Sequence, residues 1–263
     1  ASSSLSPFPK AVQAVVPGSH VTIVNPNNKM DLSVEVVVKQ LVGESAPAGP
    51  WNSARVAVEK RNFQHAIDTL WPNRDELDDA SLVLLALALE SVDREEDSIA
   101  VLQNTRQETT DVLGVLAGRL KRRWLEEGLL KDAQRAQALY KQALEEAEAN
   151  GDGAQGFYHA INVAFMDLAF DKNLENARGN ARRAIDYCDR SYRDAWCLAT
   201  YGEAYLVLGE DDSSIDYYRQ TLKKSPEVWQ ISSMYHQATA VAGLLNNQAM
   251  DDRLEALFRG DVS

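Results

Sequence analysis

A chain of 263 residues with 45% hydrophobic residues and a formal net charge of -12 has the composition of a folded globular protein. That acidity argues against a broad nucleic-acid surface, which needs Lys and Arg clustered on one face. No apolar run reaches the roughly 20 residues of a membrane span, the longest being Leu82 to Leu89. The two cysteines, Cys188 and Cys197, have no Cys or His at metal-ligand spacing. They read as free, partly buried thiols of a cytoplasmic protein, and neither a metal nor a cofactor is expected.

The first 50 residues differ from the rest, with six of the eight prolines and few charges. Their opening, ASSSLSPFPK, has neither a charged start nor an apolar core and reads as a domain boundary. His20 to Val24 is β-branched and fits a short strand. Asp31 to Leu41 fits either a strand or a helix opened by Asp31, and Gly43 to Pro50 has linker composition. Residues 1–50 are therefore expected to be a short irregular N-terminal segment preceding a domain over 51–263.

From Trp51 the apolar period is helical throughout. Asn52 to Lys60 and Asn62 to Leu70 predict a first helix pair, closed by Pro72. Asp79 to Ser91 and Glu95 to Asn104 predict a second. In it Ala86, Leu89, Ser98, Leu102 and Thr105 have the same separations as Gly202, Tyr205, Ser214, Tyr218 and Thr221 further on. A third pair begins near Thr110 and carries Gly118, then Ala136, Tyr140 and Ala143. Its spacing is longer, and an extended helix or turn around Glu126 to Asp132 would absorb the difference. The fourth runs from about Ala154 to Tyr187, with Asn162 at the close-approach position and Ala177, Ala181 and Ala184 opposite.

The fifth pair, Ala195 to Glu227, is the most regular. Tyr201, Gly202 and Tyr205 recur at helical spacing before Gly209, and Ser214, Tyr218 and Thr221 do so after it, with a stop at Pro226. This arrangement resembles the tetratricopeptide repeat (TPR), whose period is about 34 residues. Trp229 to Leu245 and Asn247 to Phe258 supply a last pair that covers the apolar end of the array. The expectation is an all-α, TPR-type α-solenoid, a right-handed superhelix of about six hairpins whose first helices line a concave groove.

Three segments resemble a narrower family. They are Gly118-Arg119-Leu120-Lys121-Arg122-Arg123-Trp124, Tyr158-His159-Ala160-Ile161-Asn162-Val163-Ala164, and Trp196-Cys197-Leu198-Ala199-Thr200 with Glu203 and Ala204. Their order and spacing are similar to those of the sensor-type TPR domain shared by bacterial conflict and signalling proteins and the TRAF-binding region of apoptosis signal-regulating kinases. Ala160 stands where that family has Gly. The resemblance implies a sensor or scaffold coupled to an effector domain or partner protein, and for its bacterial members a nucleotide-derived ligand.

The residues themselves suit such a ligand. Arg119 and Arg122, three apart on one helical face, fit phosphate or carboxylate through their planar forks. Asn162 offers donor and acceptor together, and Tyr158 and Trp196 offer rings for stacking. His159, Thr200 and Glu203 complete the expected ligand-binding set. Each has a structural alternative: the arginines pairing with Glu126 or Glu127, Asn162 bonding the next hairpin, the rings packing. No HExxH, Gly-x-Ser-x-Gly or Gly-rich phosphate loop occurs, and His20, His65, His159 and His236 are scattered, so no catalysis is expected. The sequence thus predicts a non-catalytic sensor or scaffold domain binding a small anionic ligand in its groove and relaying it to an effector. The alternative is a protein-interaction adaptor whose groove takes a peptide or helix of a partner.

Overall fold

The computed structural model describes residues 51–104 and 109–260. The expected strand at His20 to Val24, the segment Asp31 to Leu41, and Thr105 lie outside them. The described residues form twelve α-helices and one 3-10 segment, with no strand among them. The chain divides into two compact units, 1–98 and 99–263.

In the first unit α1 (Asn52–Glu59) and α2 (Phe63–Leu70) pair through buried Ala54, Ala57, Ala66 and Leu70. Pro72 ends the helical run as expected, but the chain continues as a 3-10 segment, Trp71–Glu76. Its Trp71 ring is covered by the guanidinium groups of Arg74 and Arg94 at 5.0 and 4.7 Å. The next helix, α3 (Asp79–Glu90), starts at Asp78, whose carboxylate accepts from the Ser81 N–H at 2.8 Å. It leads to α4 (Glu95–Gln103), where Ser98 donates its hydroxyl proton to the Ala86 carbonyl at 2.9 Å.

The second unit holds four hairpins: α5 (Thr110–Glu127) with α6 (Leu130–Asn150), α7 (Gly153–Ala169) with α8 (Leu174–Cys188), α9 (Ala195–Leu208) with α10 (Asp211–Leu222), and α11 (Val228–Leu244) with α12 (Gln248–Arg259). The extra length expected between Gly118 and Ala136 extends both helices, to 18 and 21 residues, around a turn at Gly128 with φ +75°. Only glycine takes that left-handed backbone without strain. Across this turn Arg123 pairs with Asp132 at 2.6 Å.

Within α9/α10 the predicted close approach is present. A Cβ on Gly202 would lie 2.9 Å from two carbons of the Tyr218 ring, so only a hydrogen fits there. Ser214 donates to the Gly202 carbonyl at 2.7 Å, repeating the Ser98 to Ala86 bond at the same 12-residue separation. These two repeats thus place a small hydroxyl at the approach of their helices, satisfying a carbonyl and excluding bulk.

A junction that the period does not announce lies at Asp167 on α7, a fully buried carboxylate. Gln137 of α6 donates to it at 3.1 Å, Asn180 of α8 at 2.8 Å, and the Lys141 ammonium stands 3.7 Å away. A buried carboxylate persists only when its oxygens are bonded in this way, and here those bonds tie three helices together.

Candidate functional site

The first helices of the second unit present their inner faces to one another, and at mid-height those faces are polar. Lys121 of α5 donates from its ammonium to Asn162 Oδ1 of α7 at 2.9 Å and to Gln237 Oε1 of α11 at 3.3 Å. Gln237 in turn donates from Nε2 to Glu203 Oε1 of α9 at 2.9 Å. One cluster therefore joins all four hairpins, and the inner face is filled at this level by its own side chains.

The cluster is electrostatically loaded. Burial lowers the Lys121 pKa to about 8, the charge of Glu203 opposing the shift. Burial likewise raises Glu203 to about 7, against the bond from Gln237 and the charge of Lys121. Desolvation penalises the ionised form of each partner, and their mutual attraction recovers only part of that cost. Asn162 is fully engaged, since its Nδ2 also donates to the Tyr158 carbonyl at 2.9 Å.

That last bond connects the cluster to a second group one turn away. The Tyr158 ring, 40% exposed, makes an edge contact with Tyr140 of α6 at 6.4 Å and with His159 at 4.9 Å. Burial raises the pKa of the Tyr158 hydroxyl, while the hydrogen bond with Tyr140 and the charges of Arg119 and Arg122 lower it; Asp111 acts in the opposite sense. The charges of both predicted arginines therefore favour the ionised form of this hydroxyl. Arg119 is only 6% exposed, whereas Arg122 is exposed to solvent.

His159 is fully buried. Its Nε2 shares a hydrogen bond with Gln155 Oε1 at 2.9 Å, and burial lowers its pKa to about 4, opposed by the charge of Asp152 and a bond with the Thr110 backbone. The imidazole is packed where α5 comes closest: a Cβ on Gly114 would lie 2.7 Å from its Cε1. It is thus a neutral wedge between α5 and α7, without exposed surface for a ligand.

The remaining predicted residues lie along one face of α9. Trp196, Thr200 and Glu203 fall at successive helical turns, with Thr200 and Glu203 buried. Trp196, 38% exposed, packs its ring 5.9 Å from that of Trp229 at the start of α11, itself 52% exposed. The structure therefore brings Arg119, Arg122, Tyr158 and His159 into one group and Asn162 and Glu203 into the adjoining one. Trp196 belongs to an aromatic pair of its own.

Three participants were not foreseen: Lys121, Gln237 and Trp229. For the first two the repeat register holds a signal. Lys121 and Asn162 are 41 residues apart and Glu203 and Gln237 are 34 apart, so polar residues recur at equivalent positions of four successive hairpins. At the opposite end of the inner faces, Trp124, Leu125, Phe165, Ala169, Lys172, Ala240, Gly243 and Leu244 line an apolar recess of about 410 Å³. The Lys121 ammonium lies 4.8 Å from the centre of the Phe165 ring at its edge.

Among the described residues no helix is long and apolar enough to cross a membrane, and no group of three or more His, Cys, Asp or Glu side chains is placed to hold a metal ion. No curated protein matches the chain. A crystal structure of BtubC (BKLC) from P. vanneervenii is similar at 17% identity, over 80% of this chain and 90% of that one, with a TM-score of 0.38. Residues 62–167 match the family model described as Tetratricopeptide Repeats-Sensor. That stretch contains the Gly118 and Tyr158 segments, and the Trp196 segment follows it. Residues 62–167 are accordingly similar to the sensor-type tetratricopeptide repeat, within a chain whose described residues are all-α.

Proposed function

We propose that this sensor-type TPR domain binds a small anionic, nucleotide-derived ligand on the inner face of its second unit, without catalysing a reaction, and relays occupancy to an effector of a bacterial conflict or stress-signalling system in the cytoplasm. The observation that carries the reading is the convergence of the Arg119 and Arg122 charges on the half-exposed Tyr158 ring. A guanidinium whose charge acts on a part-exposed aromatic residue suits a phosphate attached to a flat base. Asn162 connects that group to the Lys121, Glu203 and Gln237 cluster, so a ligand competing for these bonds alters contacts among four hairpins together. A ligand shifts conformation only through such differential contacts. A thermal-shift screen against mononucleotides, dinucleotides and ADP-ribose derivatives tests the reading: stabilisation by at least one is expected, and none across the panel overturns it.

A second reading, a protein-interaction adaptor, is favoured by one observation. Val228 is 81% exposed beside Trp229 and Trp196, an apolar surface of the kind that partner proteins cover. Capture of a partner that is lost on Trp229→Ala, and is indifferent to nucleotides, would favour this reading over the first.

A further inference from the structure

The only two cysteines of the chain lie side by side. Cys188 is the last residue of α8 and Cys197 the third of α9. The Cys188 thiol donates to the Cys197 carbonyl at 3.6 Å and the Cys197 thiol to the Cys188 carbonyl at 3.8 Å. This reciprocal arrangement holds both sulfurs between the same two backbone segments. Both side chains are fully buried in a cluster with Phe157 and Tyr201, beneath the connection 189–194, in which Arg190 and Tyr192 are exposed.

We propose that Cys188 and Cys197 form a peroxide-oxidisable dithiol that closes to an intrachain disulfide, joining the end of α8 to the start of α9. The two thiols differ in the way that sequential oxidation needs. The adjoining Cys188 thiol lowers the Cys197 pKa, and the charge of Arg193 acts in the same sense, while burial, Asp194 and Asp189 oppose it. The same pairing, with burial, raises Cys188. Cys197 also sits in the first turn of a helix, where backbone N–H groups favour a thiolate. Opening of the terminal turn of α8, where helices fray, admits a molecule as small as hydrogen peroxide.

The chemistry balances in two steps. The Cys197 thiolate attacks one peroxide oxygen, breaking the O–O bond to give a sulfenic acid and hydroxide, which takes up a proton as water. The Cys188 sulfur then attacks the Cys197 sulfur and displaces hydroxide, which leaves as water with the Cys188 proton. The two sulfurs together lose two electrons, and one peroxide becomes two waters. The disulfide fixes the joint between the second and third hairpins of this unit, on the helix that carries Thr200 and Glu203. This proposal stands independently of what the inner face binds.

Intact-mass measurement after exposing the full chain to hydrogen peroxide, followed by denaturation and alkylation, tests it. The expected product is a monomer lighter by two hydrogens, with neither cysteine alkylated, and reversed by dithiothreitol. In Cys188→Ser the expected product is a Cys197 sulfenic acid trapped by dimedone, and in Cys197→Ser the Cys188 thiol stays reduced. Two alkylated cysteines in the treated wild type, oxygen addition without a disulfide, or disulfide-linked dimers would each overturn the proposal. The wild-type mass decides the matter even where a variant folds poorly.

Discussion

The Lys121 ammonium and the Gln237 side-chain carbonyl, 116 residues apart in sequence, meet at 3.3 Å and bring the last hairpin of the chain onto the inner face of the hairpin that opens its unit. Because Lys121 also serves Asn162 and Gln237 also serves Glu203, the four form one energetic unit. Removing Lys121 takes its ammonium from the Asn162 and Gln237 oxygens and its charge from buried Glu203, so Lys121→Met is expected to destabilise by about 3 kcal/mol. Glu203→Gln keeps the shape and an acceptor and should cost less. In a double-mutant cycle read by denaturant unfolding, the pair of substitutions should cost less than the sum of the two singles. Simple additivity would show that the cluster is not coupled.

The same cluster sets a pH dependence. The Glu203 pKa is raised to about 7, so its contribution is fully present below its ordinary value near 4.5 and is lost as pH rises through 7. The Lys121 pKa is lowered to about 8, so its contribution is present above 10.5 and is lost as pH falls through 8. The site should therefore favour the folded state least between pH 7 and 8. Glu203→Gln should flatten the fall between pH 4.5 and 7 relative to wild type, as followed by chemical denaturation across that range. An unchanged difference curve would contradict the assignment. His159, lowered to about 4, adds a loss as pH falls through 4, which His159→Gln should remove.

The approach of α9 and α10 at Gly202 leaves no room for a methyl group, with Tyr218 ring carbons 2.9 Å from where it would stand. Gly202→Ala should destabilise by about 1–3 kcal/mol through displacement of the Tyr218 ring, despite the higher helix propensity of alanine. Gly243→Ala, at a helical glycine whose Cβ would meet nothing within 4 Å, is the control and should be neutral or stabilising. Thermal unfolding of the two variants separates packing from propensity.

Asp167 offers a third measurement of how the hairpins are joined. Its oxygens accept from Gln137 on α6 and Asn180 on α8. Asp167→Ala takes one acceptor from each of two half-buried amides, which keep Asp171 and the Asn176 carbonyl as partners, and should cost roughly 1–2 kcal/mol. Asp167→Asn, which retains one acceptor, should cost less. Equal losses would mean that the carboxylate acts only by filling space.

Much of the fold was legible because helical hairpins are local. Pro72, Gly209 and the small residues at Ala86 and Gly202 mark ends and close approaches within a few turns of where they act. The site was less legible because its members come from separate repeats. Arg119 and Arg122 stood out as cations at helical spacing. Lys121 between them faces a different direction, and only the return of α11 reveals Gln237 as its partner. His159 looked like a groove residue by position, but the closeness of α5 at Gly114 seals it in. The division of roles along α9, buried Thr200 and Glu203 below an exposed Trp196, depended on Trp229, which no local pattern picks out.

In the proposed function the face carrying Arg122 and Tyr158 receives an anionic, ring-bearing ligand. Isothermal titration calorimetry with ADP-ribose, or with whichever nucleotide stabilises the protein most, tests this most directly when wild type is compared with Arg122→Ala. Saturable binding that weakens about tenfold in the variant, equivalent to about 1.4 kcal/mol, is the predicted result. Binding of equal strength to wild type and to a folded Arg122→Ala, or no binding to either, would contradict it.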